Sequence, residues 1–221
     1  PCESRNVVAT CGGEHVCIID CACGQVLSRY HQPAMNYSCL AWSTLNMEHE
    51  GKTWNQNILA AAGKGGRIEL IQPSQHLCYA SFGTDRPNQV MGGQEYCINS
   101  LCFHTSQPQW LFAGGSDGAV EMWDVGMSHG DTLQTKPCKL AVYHSPAPQI
   151  MSLVWSDTHS HLLAATDKGM YTWRVHDKPQ GPINKVRSAT ELVLAGAEDE
   201  PYVDALTLLS DSLAACKVVG S

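Results

Sequence analysis

The amino-acid sequence predicts an all-β domain built from repeated units of four strands. A leucine in a short strand-like segment recurs at regular intervals, as Leu40, Leu101, Leu153 and Leu206. The intervals of 61, 52 and 53 residues are close to those of repeat architectures with units of about 40–50 residues. The longer first interval contains a polar segment, Asn46 to Asn57, which is interpreted as a surface-loop insertion. Because no stretch has sustained 3.6-residue periodicity with helix caps, few helices are expected.

Each unit has the same order of elements after its leucine. A small, apolar strand is expected at Ile58–Gly63, Leu111–Gly115, Leu162–Thr166 and Leu213–Cys216. In the first three units a glycine-containing turn follows, and then another strand, expected at Arg67–Ile71, Ala119–Val125 and Met170–Val175. The opening residues repeat this pair of strands at Val7–Cys11 and His15–Asp20. Strand, tight turn and strand is the signature of a β-hairpin, which supports the all-β interpretation.

One unit ends in a motif with assignable structural roles. Residues 114–124 read Gly-Gly-Ser-Asp-Gly-Ala-Val-Glu-Met-Trp-Asp, the ending of a WD repeat. Asp117 is expected to accept backbone hydrogen bonds in the turn, Gly118 to adopt a positive φ, and Trp123 to pack between units. The next unit ends in a similar way. Structural WD-repeat positions are therefore predicted at Asp117, Gly118, Trp123, Asp124, Asp167 and Trp173.

Four strands per unit at this spacing predict a WD-repeat β-propeller. The whole chain, residues 1–221, is expected to hold about three whole blades plus two partial blades. The blade segments are placed at roughly 1–31, 32–83, 84–144, 145–196 and 197–221. Since the first and last units are incomplete, neighbouring segments are expected beyond both ends.

Composition excludes several classes of function. With 14 basic and 21 acidic residues the formal net charge is -7, which argues against binding of nucleic acid through phosphate neutralisation. The nearest approach to a basic patch is Lys64, Arg67 and Lys52. No apolar run reaches the ~20 residues of a membrane-spanning helix. The 11 cysteines are odd in number, and several lie in apolar strand-like runs, which favours a reducing compartment over a disulfide scaffold.

The order of several short segments resembles one WD-repeat family. Val8-Ala9-Thr10-Cys11-Gly12-Gly13 followed by Val16-Cys17-Ile18-Ile19-Asp20-Cys21 looks like the first propeller segment of the leucine-rich-repeat and WD-repeat proteins that associate with the origin recognition complex. Agreement continues at residues 59–63, 101–103 and 203–206, and residues 176–200 carry no matching motif. The resemblance implies a nuclear, chromatin-associated adaptor, with the centrosome as a second location. It implies partners among origin recognition complex subunits and trimethylated histone tails.

Trimethyl-lysine recognition requires an aromatic cage. A related propeller, the embryonic ectoderm development protein, draws its cage from loops entering the blades. The comparable positions here are Ser38, Asn99 and Met151, none of which is aromatic. Tyr37 and Tyr96 are near those positions and, with Lys64, are tentative partner-binding loop residues. The alternative for both tyrosines is ordinary packing.

Other kinds of site are weaker hypotheses. Cys11, Cys17, Cys21 and Cys23 lack the paired spacing of a zinc site, and Gly63-Lys64-Gly65-Gly66 leads into a strand where a phosphate loop leads into a helix. No cofactor or metal is predicted. A propeller enzyme would need carboxylates or histidines at equivalent loop positions, and of the hairpin turns only Asp117 supplies an acid. This favours a non-catalytic binding platform, either at chromatin or as a general scaffold elsewhere, over an enzyme.

Overall fold

A computed structural model describes residues 6–49, 52–83, 90–91, 94–126, 136–176, 184–186, 188–193, 201–210 and 213–219. Within these ranges the chain forms β-strands joined by turns and contains no helix, and it therefore has no helix able to span a membrane. The strands form successive sheets, and most neighbouring strands within a sheet are antiparallel and consecutive in the chain. The all-β propeller prediction is confirmed.

The first two sheets come from the N-terminal part of the chain. The first sheet contains β1 (Val7–Gly12), β2 (His15–Asp20) and β3 (Val26–His31). The second contains β4 (Tyr37–His49), β5 (Lys52–Gly63), β6 (Arg67–Gln72) and β7 (Leu77–Gly83). A small hairpin follows, β8 (Val90–Met91) and β9 (Gln94–Glu95).

Three further sheets complete the described architecture. The third sheet contains β10 (Ile98–Phe103), β11 (Trp110–Gly115), β12 (Ala119–Asp124), β13 (Cys138–His144) and β17 (Asn184–Val186). The fourth contains β14 (Ile150–Ser156), β15 (His161–Thr166), β16 (Gly169–Arg174) and β18 (Thr190–Leu192). The fifth contains β19 (Tyr202–Ser210) and β20 (Leu213–Val219). The boundaries of the blade segments stay a prediction.

The opening strands of the second to fifth sheets share a β-bulge at the same place. The register with the next strand shifts just before the recurring leucine, at Tyr37/Cys39, Ile98/Ser100, Ile150/Ser152 and Val203/Ala205. A bulge inserts one extra residue and re-aims its side chain. The extra residues are Ser38, Asn99, Met151 and Asp204. The repeat in the sequence is therefore also a repeat in backbone geometry.

The second strands of the second, third and fourth sheets contain small residues where adjacent sheets approach closely. Ala60, Ala61 and Ala62 in β5 have no exposed surface. At Gly114 in β11, a Cβ atom would lie 2.5 Å from Ile150 Cγ2 of the fourth sheet. Any larger side chain at that position would force the third and fourth sheets apart.

The interpretation of Asn46 to Asn57 as a surface loop is wrong. Strands β4 and β5 continue as a long hairpin and pair as far as His49 with Lys52. Leu45 and Met47 are 0% and 2% exposed and belong to the core between the second and third sheets. Leu45 and Met47 alternate with polar neighbours, which is the two-residue period of a strand. Asn46, Thr53, Asn55 and Asn57 of the segment are exposed.

The expectation of blades with four antiparallel strands also needs one correction. Strand β17 adds a fifth strand to the third sheet and pairs with β13 in the parallel direction. It lies in the part of the sequence that showed no motif, between the third strand of the fourth sheet and its last strand, β18. The connection between β16 and β18 therefore returns to the neighbouring sheet and covers its outer edge.

Candidate interaction surface

Small polar side chains join each opening strand to the next. Leu153 N–H donates to Ser100 Oγ at 3.0 Å, and Leu206 N–H donates to Ser152 Oγ at 3.3 Å. The residue in the same place in the second sheet is Cys39, whose thiol donates to Ile98 O at 3.4 Å. These residues directly precede the recurring leucines. The short side chain before each leucine thus fixes the spacing between neighbouring sheets.

The bulge residues Ser38, Asn99 and Met151 also form hydrogen bonds to the neighbouring sheet. In the sequence, these are the positions comparable to those of an aromatic cage in a related propeller. Ser38 Oγ donates to Ile98 O at 3.0 Å, and Asn99 Nδ2 donates to Ile150 O at 2.9 Å. Met151 accepts a hydrogen bond at its sulfur from Tyr202 Oη at 3.8 Å. These side chains therefore link sheets in the positions where a cage would need rings.

Tyr37 and Tyr96 are each only 2% exposed. The Tyr37 hydroxyl donates to Glu69 Oε2, and burial together with this contact raises the tyrosine's pKa above its ordinary value. The Tyr96 ring lies against the backbone at Gly115, where a Cβ atom would come within 2.3 Å of its hydroxyl oxygen. Neither ring presents a face to solvent, so both side chains pack inside the protein and offer no surface to a lysine side chain.

Glu69 forms a buried polar cluster between the first and second sheets. Its carboxylate is 1% exposed and accepts from Tyr37 and, at 3.2 Å, from the hydroxyl of Tyr30. Arg67 Nη2 lies 3.2 Å from the other carboxylate oxygen. Because Arg67 is engaged in this ion pair, its charge is partly neutralised at the surface.

Glu121 occupies the same strand position in the third sheet. It is the third residue of β12, as Glu69 is of β6, and it is 5% exposed. Its partner is Lys139, with Nζ 3.1 Å from Oε1 and 4.9 Å from the centre of the Trp123 ring. Sequence reasoning missed this recurrence because it searched for acids only in loops. The available signal was an acidic residue among the apolar residues of two equivalent strands.

The predicted WD-repeat residues have specific contacts. Asp117 Oδ1 accepts from Ala119 N–H at 3.1 Å, and Asp124 Oδ1 accepts from Gly126 N–H at 2.8 Å. Gly118 has a φ of +73°, and a Cβ atom there would lie 2.2 Å from Ala147 O. Asp167 differs from Asp117, since it accepts from Gln149 N–H at 3.2 Å in the loop that enters its own sheet.

Trp123 and Trp173 lie at equivalent positions between sheets. They are 6% and 1% exposed, and the Trp123 ring is 4.9 Å from that of Phe82 in β7. The Trp173 ring is 6.2 Å from that of Tyr143 in β13. Each indole therefore fills the space between its own sheet and the preceding one.

Lys64 is exposed in the turn between β5 and β6, where the sequence analysis placed a tentative contact. Lys52 is exposed at the opposite end of β5, about 40 Å away along the strand at ~3.3 Å per residue. The three basic residues considered together in the sequence therefore do not form one patch. Within the described ranges, no group of three or more His, Cys, Asp or Glu side chains could hold a metal ion.

The recurring carboxylates Glu69 and Glu121 are buried between sheets and paired. The repeated sheets, the WD ending at residues 114–124 and the indoles between sheets define a WD-repeat β-propeller domain. A family model described as "Leucine-rich repeat and WD repeat-containing protein 1, WD domain" matches residues 2–221, and the chain belongs to this family.

Curated relatives agree with the family model. The chain is 31% identical to leucine-rich repeat and WD repeat-containing protein 1 of Xenopus tropicalis, over 98% of this chain and 31% of that protein. It is 32% identical to the Danio rerio protein, over 96% of this chain and 27% of that protein. For the Homo sapiens protein the identity is 29%, over 98% and 32%. The chain thus spans less than a third of the length of these relatives.

Solved structures agree with the fold. The chain resembles a chain of a humanized mutant of the Chaetomium thermophilum polycomb repressive complex 2 bound to the inhibitor GSK126, with a TM-score of 0.69 and 15% identity. The match covers 98% of this chain and 45% of that one. A structure of the same complex with H3K27me3 and H3K27M matches with a TM-score of 0.68 and 16% identity, over 99% and 44%. At these identities the likeness shows the fold alone.

Proposed function

We propose that the chain is the propeller of a non-catalytic, chromatin-associated adaptor in the nucleus that binds subunits of the origin recognition complex. The observation that carries the proposal is the family match over residues 2–221. The burial and pairing of Glu69 and Glu121 add support, because these recurring acids are unavailable to a substrate. With a net charge of -7, the domain is expected to bind naked DNA weakly.

A pull-down with purified origin recognition complex tests the proposal. The folded chain is expected to capture the complex, and failure of a folded chain to do so would refute the adaptor function. Fluorescence anisotropy with a DNA duplex in the same buffer is expected to show only weak, salt-sensitive binding.

Two charge reversals on one strand can locate the binding end. Lys64→Glu changes the turn after β5, and Lys52→Glu makes the same change at the opposite end of β5. Because both side chains are exposed, neither variant should alter folding. If the turn end binds the partner, Lys64→Glu weakens capture and Lys52→Glu does not. Equal capture by both variants would remove Lys64 from the partner-binding loops.

Binding of trimethyl-lysine histone tails is a second candidate. It is supported by the fold shared with a complex whose structure was solved with H3K27me3. Since Tyr37 and Tyr96 are buried, a cage would have to use other rings. If this candidate is correct, a histone peptide with trimethyl-lysine binds the 221-residue chain more tightly than the same peptide without it, and equal binding would exclude the candidate for this chain. Binding that depends on the methyl groups would show a cage outside the loops considered.

A general WD-repeat scaffold outside chromatin is the remaining alternative. More distant relatives include the protein transport protein SEC31 of Dictyostelium discoideum, 26% identical over 70% of this chain and 13% of that protein. The GATOR2 complex protein Wdr24 of Drosophila melanogaster is 28% identical over 41% and 10%. Localisation of the tagged full-length protein separates the two functions, because the adaptor is expected on chromatin and at the centrosome.

A further inference from the structure

Two histidines face each other across neighbouring strands of the first sheet. His15, the first residue of β2, pairs in register with His31, the last residue of β3. Their imidazole rings are stacked, with centroids 4.7 Å apart and planes inclined by 22°. Both side chains are exposed. Side chains opposite each other on antiparallel strands can act on one ligand together, because their Cβ atoms are only about 4.5–5.5 Å apart.

Glu14 fixes which nitrogen of His31 carries a proton. Its Oε1 atom accepts from Ala34 N–H at 2.9 Å, and its Oε2 atom lies 3.2 Å from His31 Nε2. The backbone contact first, and then the contact with the imidazole, lower the pKa of the Glu14 carboxyl. The carboxylate is therefore ionised at neutral pH and can only accept hydrogen bonds. His31 Nε2 is then the donor, and a neutral His31 ring has its lone pair on Nδ1.

This arrangement is typical of a histidine that ligates a metal ion. Such a histidine binds the ion through one ring nitrogen and donates its other N–H to a carboxylate. Glu14 has the place of this outer partner, since within the described ranges no three His, Cys, Asp or Glu side chains are placed to hold an ion together. The surface beside His15 is open. Gly12, its neighbour on β1, would have nothing within 4 Å of a Cβ atom, which leaves room for water ligands.

We propose that His15 and His31 form a surface site for a divalent late transition metal such as Zn²⁺, with His31 binding through Nδ1 and Glu14 orienting its ring. Because Zn–N bonds are about 2.0–2.1 Å long, the two bound nitrogens lie at most about 4 Å apart. The rings reach this separation by turning about their exposed Cβ–Cγ bonds, for which histidine has a broad range of angles. Imidazole is a ligand for Zn²⁺, Ni²⁺ and Cu²⁺ alike, so Ni²⁺ can serve as a probe.

Surface plasmon resonance on a Ni²⁺–nitrilotriacetate surface tests the site with the tag-free 221-residue chain. The chelator leaves two neighbouring positions open on the ion, which suits a pair of adjacent imidazoles. Saturable binding of the parent is expected. His15→Ala and His31→Ala should each weaken it by about tenfold or more, because the second ligand binds the same ion intramolecularly. Equal affinity of the parent and both variants would overturn the proposal.

The matched control is His159→Ala. His159 is also exposed and also has a histidine neighbour, His161, but those rings are 6.4 Å apart and lie on consecutive parts of the chain. This variant is expected to bind the nickel surface as the parent does. Loss of binding in His159→Ala with retention in His31→Ala would place the site elsewhere and overturn the proposal.

Glu14→Gln tests the outer partner, since it keeps the size of the side chain and removes its charge. It should weaken binding by about tenfold, as for other outer partners of metal-ligating histidines. Unchanged affinity would remove Glu14 from the site. Zn²⁺ in the buffer is expected to compete with the surface and Mg²⁺ is not, because Mg²⁺ takes oxygen ligands. Failure of Zn²⁺ to compete would overturn the proposal. Circular dichroism establishes that each variant keeps the strand spectrum of the parent.

Discussion

Replacement of Trp123 by alanine is expected to destabilise the chain severely. The side chain is 6% exposed, packs against Phe82 and lies beneath the ammonium group of Lys139. Truncation of a buried Trp to Ala costs about 3–5 kcal/mol, a large share of the ~5–15 kcal/mol that stabilises a domain. The aromatic contact with Phe82 is included in this value, since the measured cost of truncation contains every lost contact.

Urea unfolding followed by far-UV circular dichroism measures the effect without depending on tryptophan fluorescence. The matched control is Trp42→Ala, because Trp42 is 38% exposed at the start of the second sheet and should cost only about 1 kcal/mol. Trp123→Phe should fall between the two, since the buried Nε1 atom has no hydrogen-bond partner to lose. Equal destabilisation by Trp123→Ala and Trp42→Ala would refute the assignment of Trp123 to the space between sheets.

Four further perturbations test separate parts of the structure. Gly118→Ala should lower the free energy of unfolding by about 2 kcal/mol or more in urea, because φ is +73° and a Cβ atom would lie 2.2 Å from Ala147 O. Gly12→Ala is the control and should be nearly neutral, since a Cβ atom there has nothing within 4 Å. Glu121→Ala should cost about 1–3 kcal/mol in the same assay, since it removes the buried carboxylate that accepts from Lys139 Nζ at 3.1 Å. Burial raises the pKa of Tyr143 from 10.0 to about 12. The neutral phenol therefore contributes its full stability below about pH 10 and loses it as the pH rises toward about 12, which should be measured as a falling Tm over this range. Burial raises the pKa of Cys102 to about 11, so at about pH 8 it should react with a disulfide reagent more slowly than the exposed cysteines.

The sequence predicted the fold well because the repeat is carried by local patterns. Each of these patterns depends on residues that are close in the sequence: the recurring leucine, the small second strand and the glycine turn. The strands of the first four hairpins could therefore be predicted from local sequence alone. The long hairpin of β4 and β5 was missed because its polar residues suggested a loop, while its alternation, with Leu45 and Met47 inward, indicated strands. Strand β17 could not be predicted, because its parallel pairing with β13 joins distant segments.

The candidate site was less predictable because burial depends on the neighbouring sheet. Tyr37 and Tyr96 lie in segments that read as loops, yet both are enclosed once the adjacent sheet is in place. The same holds for Glu69 and Glu121, whose acidic side chains suggest solvent exposure in the sequence. Their partners Tyr30, Tyr37 and Lys139 come from other strands.

The small side chains that precede each leucine also bear on how the chain opens. Ser100 and Ser152 each hydrogen-bond to the adjacent sheet, so we expect the stabilities of neighbouring sheets to be coupled, as in a repeat array. The β19–β20 hairpin, which contacts a sheet on one side among the described residues, is expected to exchange its amide hydrogens first. Protection should then rise toward the third sheet, which has neighbours on both sides. A partner that covers the exposed end would slow exchange along the whole series and so report its binding at sites it never touches.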